Sequence, residues 1–575
     1  MHVVATAGHV DHGKSTLVLT LTGMDPDRFA EEKARGLTID LGFAWTTLAS
    51  GRELAFVDVP GHVRFLRNML AGVGAVDACL FVVAATEGWK PQTEEHLRIL
   101  ELLGITSAVV ALTKVGLVDA EWLELAHLEL ADHVAGTFLE TAPVVEVDAP
   151  TGAGVEALRG ALDELLAATP TALDRGRPRL WVDRSFAAKG SGTVVTGTLA
   201  GGSLAEGDEV LLLPGGRKAR VRALQSHKSA LAVAGPGRRL AVNLAGVHHE
   251  QVERGNAVVR VGQWEPTRRV DCSLTVLAAL DHEVSRRGAY QAYLGSGEHP
   301  VRMRVLGADV LQPGACGLVR IHLPVGLPLL PGDRYVLRES GRGETVGGGE
   351  VLDVAPVLPA NRARPSVSVD RVVAERGWVD ADLLERLTGT RRPAVVGRFV
   401  VDPAELAATR NRVRDCVAAA GPLGLDVAAL DERERAVLDG LEGVVVDAGR
   451  AVPSDQAGDP LAGHRYVAAL TASPFSPPPP DGVDRGELRE LVRRGLVVER
   501  DGVWFAPAAL DRAGQLIAGR LADSPDGVTV AEIRDALGTT RKFILPLLAQ
   551  LDSSGVTRRR GDLRIGGPRL PPPGR

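Results

Sequence analysis

The chain has 575 residues, 45% hydrophobic and 24% charged, with a net charge of −6. This is the composition of a globular protein of about four domains. It excludes a disordered or fibrous chain, and the acidic balance confines any RNA contact to a local patch. Four widely spaced cysteines (Cys79, Cys272, Cys316, Cys416) show no metal-type spacing, no run is long enough to span a bilayer, and the N-terminus opens directly into a strand pattern. The expectation is a cytoplasmic protein with reduced thiols and no membrane association.

Residues 1–172 alternate apolar strand runs (54–59, 79–84, 108–113) with helical patterns such as 16–21, which predicts a mostly parallel α/β sheet. Residues 173–264 and 265–356 switch to short β-rich segments between glycine-rich turns such as Gly201-Gly202 and Pro214-Gly215-Gly216, which predicts two β-barrels. Residues 356–365 read as a linker. Residues 366–510 and 511–567 carry short helical patterns and small strand pairs (496–500, 503–505), which predicts α+β winged-helix domains whose number the pattern does not fix. The proline run at 473–480 reads as a stiff break and 568–575 as unstructured.

The motifs with chemistry begin at Gly8-His9-Val10-Asp11-His12-Gly13-Lys14-Ser15, followed by Thr16. The run fits G-x-x-x-x-G-K-S/T between a strand and a helix, the context of a P-loop. There backbone N–H groups of residues 11–16 cradle phosphates, Lys14 reaches the outer phosphates and Ser15 ligates Mg²⁺. Asp11 either helps to hold a monovalent cation near the β/γ bridge or shapes the loop. Thr38 is placed to close over Mg²⁺ and the γ-phosphate, Asp58 to hold Mg²⁺ through water, Gly61 to sense the γ-phosphate, and His62 to position the attacking water. Release of both segments on loss of the γ-phosphate is a switch. Base recognition is less regular. The expected N-K-x-D reads Thr113-Lys114-Val115-Gly116, so the guanine-binding aspartate is missing. Asp119 either swings in to replace it or caps the next helix. Ala149, in Asp148-Ala149-Pro150, keeps the N–H that would meet guanine O6.

Together these motifs resemble the translational GTPases. The runs Glu32-Lys33-Ala34-Arg35-Gly36-Leu37-Thr38-Ile39-Asp40-Leu41-Gly42-Phe43, Asp58-Val59-Pro60-Gly61-His62 and Asn68-Met69-Leu70-Ala71-Gly72 are similar to those of the selenocysteine-specific elongation factors, the SelB group. Thr113 is also similar to that group; Gly116 departs from it. Near the C-terminus, Leu537-Gly538-Thr539-Thr540-Arg541-Lys542 and Arg558-Arg559-Arg560-Gly561-Asp562 look like the last winged helix of bacterial SelB. The resemblance is weak from 366 to about 510. It implies a monomeric GTPase that binds GTP or GDP with Mg²⁺, carries selenocysteinyl-tRNA to the ribosome at UGA codons marked by a SECIS mRNA hairpin, and hydrolyses GTP on delivery. It also implies an aminoacyl pocket at Phe43, Asp183, Arg184 and Arg239.

Such a pocket has a physical rationale. A selenol is more acidic than a thiol, so selenocysteine is an anion at neutral pH while serine is neutral. A cationic pocket then favours the selenolate by about 10–100-fold per charge-assisted contact. The plainer alternative is that Arg184 and Arg239 pair with acidic neighbours. In the tail, Arg541 and Lys542 open a helix after Thr539 and Thr540, which suit an N-cap. Cations there oppose the helix dipole. With Arg558, Arg559 and Arg560 on a wing they make a candidate RNA-binding face. The rival function is an RNA-binding regulatory GTPase without tRNA cargo, which has no need of the Asp183, Arg184 and Arg239 set.

Overall fold

The computed structural model describes residues 2–26, 38, 40–60, 69, 76–188, 192–421, 423–456, 461 and 463–573. Within 1–172 a six-stranded sheet runs in the order β2-β3-β1-β4-β5-β6, where β1 is His2–Ala7, β2 Gly42–Thr47, β3 Glu53–Asp58, β4 Ala78–Ala84, β5 Ala108–Thr113 and β6 Val144–Val147. Only β2 is antiparallel to its neighbour. Strands β1, β4 and β5 are buried at every position, as apolar runs covered on both faces must be. Successive side chains point to opposite faces. Val3 and Ala5 thus join a core with Leu97, Leu100 and Leu130, while Val4 joins Leu17, Leu158 and Leu162. Helices α1 (Lys14–Thr22), α2 (Pro91–Leu102), α3 (Ala120–Val134) and α4 (Val155–Ala168) supply those partners.

Two barrels follow. In the first, the strand path from Glu209–Leu213 through Ala257–Arg260, Arg179–Trp181, Gly192–Ala200 and Arg239–Ala245 to Arg217–Ser226 closes by a pairing between its two ends. The second is a closed six-stranded barrel from Thr267–Val276 to Glu344–Asp353. It carries a buried ion pair, Arg320 to Asp271 at 2.6 Å, with side chains 7% and 2% exposed.

The chain divides into two compact units at Asp402/Pro403, inside the 366–510 region. Helices Val369–Arg376 and Ala381–Thr388 belong to the first unit because they dock on the second barrel. Leu387 enters the barrel's core and Arg371 pairs with Asp353 at 3.0 Å.

The second unit repeats helices with a strand pair or small sheet. Pro403–Ala419 and Glu432–Leu438 accompany Val444–Asp447 and Arg450–Pro453. Arg465–Ala472 and Arg485–Arg493 accompany Val498–Arg500 and Val503–Phe505. Pro507–Asp523, Val530–Leu537 and Arg541–Ser553 accompany Thr557–Arg560 and Leu563–Gly566. The reading of 568–575 as unstructured is corrected at its start. Arg569 N–H donates to Gly555 O at 2.9 Å, and Leu570 packs on the core of the last group. A leucine among prolines had an apolar surface within reach. All four cysteines are free thiols, Cys79 and Cys272 buried, Cys316 and Cys416 exposed. No helix among the described residues is long and apolar enough to cross a membrane.

Candidate functional site

The loop between β1 and α1 is forced into shape by its glycines. Gly8 has φ 132°, and a Cβ there would meet Val82 O at 2.1 Å; Gly13, at φ 85°, turns the chain into α1. Lys14, 6% exposed, donates from Nζ to Gly8 O at 3.0 Å and His9 O at 2.6 Å. Burial lowers its pKa to about 8, although Asp58 and Asp11 oppose the shift. A phosphate is the group that would complete this cation's pairing. Ser15 Oγ donates to Asp58 Oδ2 at 2.6 Å and lies 2.8 Å from Thr38 Oγ1. Three hard oxygens from three segments thus converge, a donor set that fits Mg²⁺. Thr16 is exposed in the first turn of α1, and Asp11 is exposed with φ 63°. His12 is buried, its pKa lowered by burial to about 4, with Nδ1 3.3 Å from Val82 O. Gly61 and His62 lie outside the described residues, as do 27–37.

Three supports were not singled out in the sequence because no motif marks them. Thr6 Oγ1 donates to Asp58 Oδ1 at 2.7 Å and accepts from Val59 N–H at 3.1 Å. Gly8 N–H donates to His96 Nδ1 on α2 at 3.0 Å, and Val10 N–H to Gln92 Oε1 at 3.4 Å. Burial, aided by Lys14, lowers the His96 pKa to about 3, so the ring stays a neutral acceptor. Only the polar residue types on the buried face of α2 could have signalled this.

At the base end, Thr113 Oγ1 donates to His12 O at 2.7 Å and so ties the β5 loop to the P-loop. Lys114 has φ 60° and pairs with Glu87 at 3.0 Å. Asp119 caps α3, accepting from Trp122 N–H at 2.9 Å, and does not swing toward the base. Ala149 is half-buried in the loop after β6.

The proposed pocket residues assemble where β2 meets the first barrel. Alternation along three strands turns Phe43 and Trp45, Arg184 and Phe186, and Arg239 and Ala241 into one cleft of ≈ 520 Å³. The Arg239 guanidinium lies 3.4 Å from the Phe43 ring centroid and that of Arg184 4.7 Å. Trp45 stacks on His227 at 5.1 Å, with Lys228 5.7 Å from its ring. Asp183, 5% exposed, stands behind Arg239 and accepts a bidentate pair of bonds at 2.6 and 3.0 Å, while Thr196 Oγ1 donates to it at 2.7 Å. Arg184 donates to Leu41 O and pairs with Asp40 at 3.2 Å; Arg254 reaches the same carboxylate at 2.7 Å. The plainer alternative therefore holds in part: both pocket arginines have acidic partners. Burial pushes the Asp40 carboxyl up, but the Arg254 hydrogen bond and the charges of Arg184 and Arg254 carry it below its usual range.

In the tail, Arg541 and Lys542 are exposed at the start of their helix, and Arg558, Arg559 and Arg560 are exposed along strand Thr557–Arg560. The capping expectation is corrected. Thr540 occupies the N-cap position without a side-chain cap, and the Thr539 hydroxyl donates instead to Phe475 O. The first-turn N–H groups thus keep no threonine cap. Arg493 and Arg494 both pair with Glu490.

Comparison with known proteins matches parts of this chain to translation factors. Residues 1–168 match the elongation factor Tu GTP binding domain, 192–259 elongation factor Tu domain 2, and 520–565 the winged helix of elongation factor SelB. The chain is 43% identical over 353 residues to the selenocysteine-specific elongation factor of Desulfomicrobium baculatum, an alignment covering 61% of this chain and 55% of that one, so it spans little more than half of that relative's length. It is 32% identical to elongation factor Tu 2 of Streptomyces avermitilis over 61% of this chain and 96% of that one. A crystal structure of a bacterial selenocysteine-specific elongation factor, EF-Sec, superposes with a TM-score of 0.70 at 26% identity, covering 98% of this chain and 99% of that one.

Proposed function

We propose, from the premise that this chain belongs to the SelB-type translational GTPases, that it is a GTP-dependent carrier of selenocysteinyl-tRNA. It delivers that tRNA to the ribosome at UGA codons marked by a SECIS hairpin and hydrolyses GTP on delivery. The observation that carries this reading is the cleft in which Phe43, Arg184 and Arg239 meet.

In this reading the backbone of residues 11–16 and Lys14 hold the phosphates, and Ser15, Thr38 and Asp58 hold Mg²⁺. When bound, the ion neutralises charge on the β- and γ-oxygens. Thr113 and Lys114 frame the base, with the Ala149 N–H toward O6. Gly61 senses the γ-phosphate, and His62 positions the attacking water. Arg239, braced by Asp183, and Arg184, held by Asp40, meet the selenolate across the Phe43 ring. Asp40 connects the two sites: it follows Thr38 by two residues and holds Arg184 and Arg254. Loss of the γ-phosphate frees Thr38, shifts Asp40 and withdraws the arginine, so cargo leaves with hydrolysis. Arg541, Lys542, Arg558, Arg559 and Arg560 face the mRNA hairpin.

The test is binding of selenocysteinyl-tRNA against seryl-tRNA on the same tRNA body, with GTP present. Strong preference for the selenocysteinyl form is expected, and Arg184→Ala should reduce it by about 10–100-fold. Equal or absent binding by the wild-type protein moves the weight to an RNA-binding regulator without cargo.

A further inference from the structure

We infer that Asp148, on the loop after β6, supplies the carboxylate that recognises guanine in place of the aspartate missing at Gly116. The inference rests on the nucleotide reading above and adds to it the residue that selects the base.

Strand register brings the two loops together. Thr113 at the end of β5 pairs with Val147 at the end of β6, so the segments that follow emerge side by side. Gly116 lies in the short helical turn Val115–Leu117 and is not among the residues with positive φ. Its backbone therefore does not call for glycine. What glycine provides is room: a Cβ at 116 would lie 3.0 Å from Asp148 Oδ2, 3.1 Å from Cγ and 3.5 Å from Oδ1. The Asp148 carboxyl occupies the space into which a side chain at 116 would grow. An aspartate at both positions would press two like charges together, so glycine at 116 and aspartate at 148 belong to one arrangement.

The carboxyl is also held in place. Asp148 is 6% exposed. Its N–H donates to Ala153 O and its C=O accepts from Gly152 N–H, both at 2.9 Å. Thr151 Oγ1 donates to Oδ2 at 2.6 Å. A carboxylate offers about four acceptor sites, so Thr151 leaves capacity for a ligand. Guanine presents N1–H and N2–H along one edge, and a carboxylate accepts both. Adenine presents a lone pair at N1, which a carboxylate repels.

The experiment is displacement of a fluorescent GDP analogue from the full chain, with Mg²⁺, by GDP, IDP, XDP and ADP. The wild-type protein should rank GDP above IDP by about 10–100-fold, because inosine lacks one donor to the carboxylate. In Asp148→Asn the amide accepts from N1–H and donates to the 2-oxo group of xanthine, so GDP should weaken, XDP should strengthen, and their order should reverse. If Asp148 merely braced its loop through Thr151, the substitution would weaken every nucleotide by one common factor. That result, or an unchanged GDP preference, overturns the inference. Gly116→Ala provides a second arm that leaves Asp148 and Thr151 intact. Its Cβ presses on the carboxyl, so the GDP-to-IDP ratio should fall toward one; an unchanged ratio likewise overturns the inference, even if Asp148→Asn fails to fold. Failure of the underlying reading looks different: ADP would compete as well as GDP in the wild-type protein.

Discussion

In the proposed nucleotide site the phosphate end is shaped mainly by the path of the backbone, whereas the base end is shaped by groups that meet from two loops. Gly8 and Gly13 adopt conformations that L side chains rarely take, and a Cβ at Gly8 would strike Val82 O. Lys14 is held by carbonyls of its own loop. Such a site tolerates little exchange of parts, because the groups that bind are fixed by the path of the chain. At the proposed base end Gly116 and Asp148 reach a shared space from the loops after β5 and β6, and Thr113 ties the first of these loops to the P-loop. There a functional group can change loops and still arrive at the same place. The comparison teaches that motif spelling is a stricter guide to phosphate binding than to base selection.

The largest effect should separate the two ends. Asp58 accepts from Ser15 and Thr6 and faces Lys14. Asp58→Ala should weaken Mg²⁺-nucleotide binding on the order of 100- to 1,000-fold, as expected for losing two charge-assisted bonds. The loss should be the same factor for GDP and IDP, since nothing at the base has moved. Chelating Mg²⁺ should bring the wild-type protein toward the variant and leave the variant almost unchanged. A changed GDP-to-IDP ratio in Asp58→Ala would mean that the two ends are not independent, and would break the comparison.

Thr113 is where they touch. Thr113→Val keeps the shape but removes the bond to His12 O, leaving a buried carbonyl without that partner. A cost of about 1–3 kcal/mol follows. Nucleotide affinity should fall roughly tenfold, with the GDP-to-IDP ratio unchanged, as titration of both nucleotides would show. This sharpens the comparison by separating attachment of the base loop from recognition of the base.

The same contrast explains what was legible in the sequence. The strands, the P-loop and the Ser15, Thr38 and Asp58 set could be placed because apolar runs and glycines at fixed offsets carry their own geometry. The mostly parallel sheet and both barrels followed from strand rhythm and turn spacing. Three things needed coordinates. Asp119 and Asp148 are both aspartates that follow the strands of the proposed base end, and only the register of β5 with β6 separates a helix cap from a residue beside Gly116. Asp40 sat in a recognised run, yet its pairing with Arg184 and Arg254 joins residues far apart in the chain. His96 belongs to no motif at all. Gly61 and His62 lie outside the described residues, and their proposed roles rest on their motif.

His96 gives the smallest effect at neutral pH and the most selective one in acid. Its ring accepts from Gly8 N–H and is kept neutral by burial, with Lys14, His9 and His12 acting in the same direction. The folded pKa is about 3 against 6.5 for a free histidine. Between those values the unfolded chain binds a proton that the folded chain refuses. The stabilising difference is therefore complete above about pH 6.5 and is lost as pH falls toward 3, at up to about 1.4 kcal/mol per pH unit. His12, lowered to about 4, adds a contribution of the same sign. His96→Asn places an amide oxygen where Nδ1 accepts from Gly8 and removes the titration. Nucleotide affinity at pH 7.5 should barely change, while the decline of the urea midpoint between pH 6.5 and 4 should become shallower, with His12 accounting for much of what remains. An unchanged decline would show that the phosphate end is no more sensitive to acid than the base end, and that the buried histidine is only a hydrogen-bond acceptor.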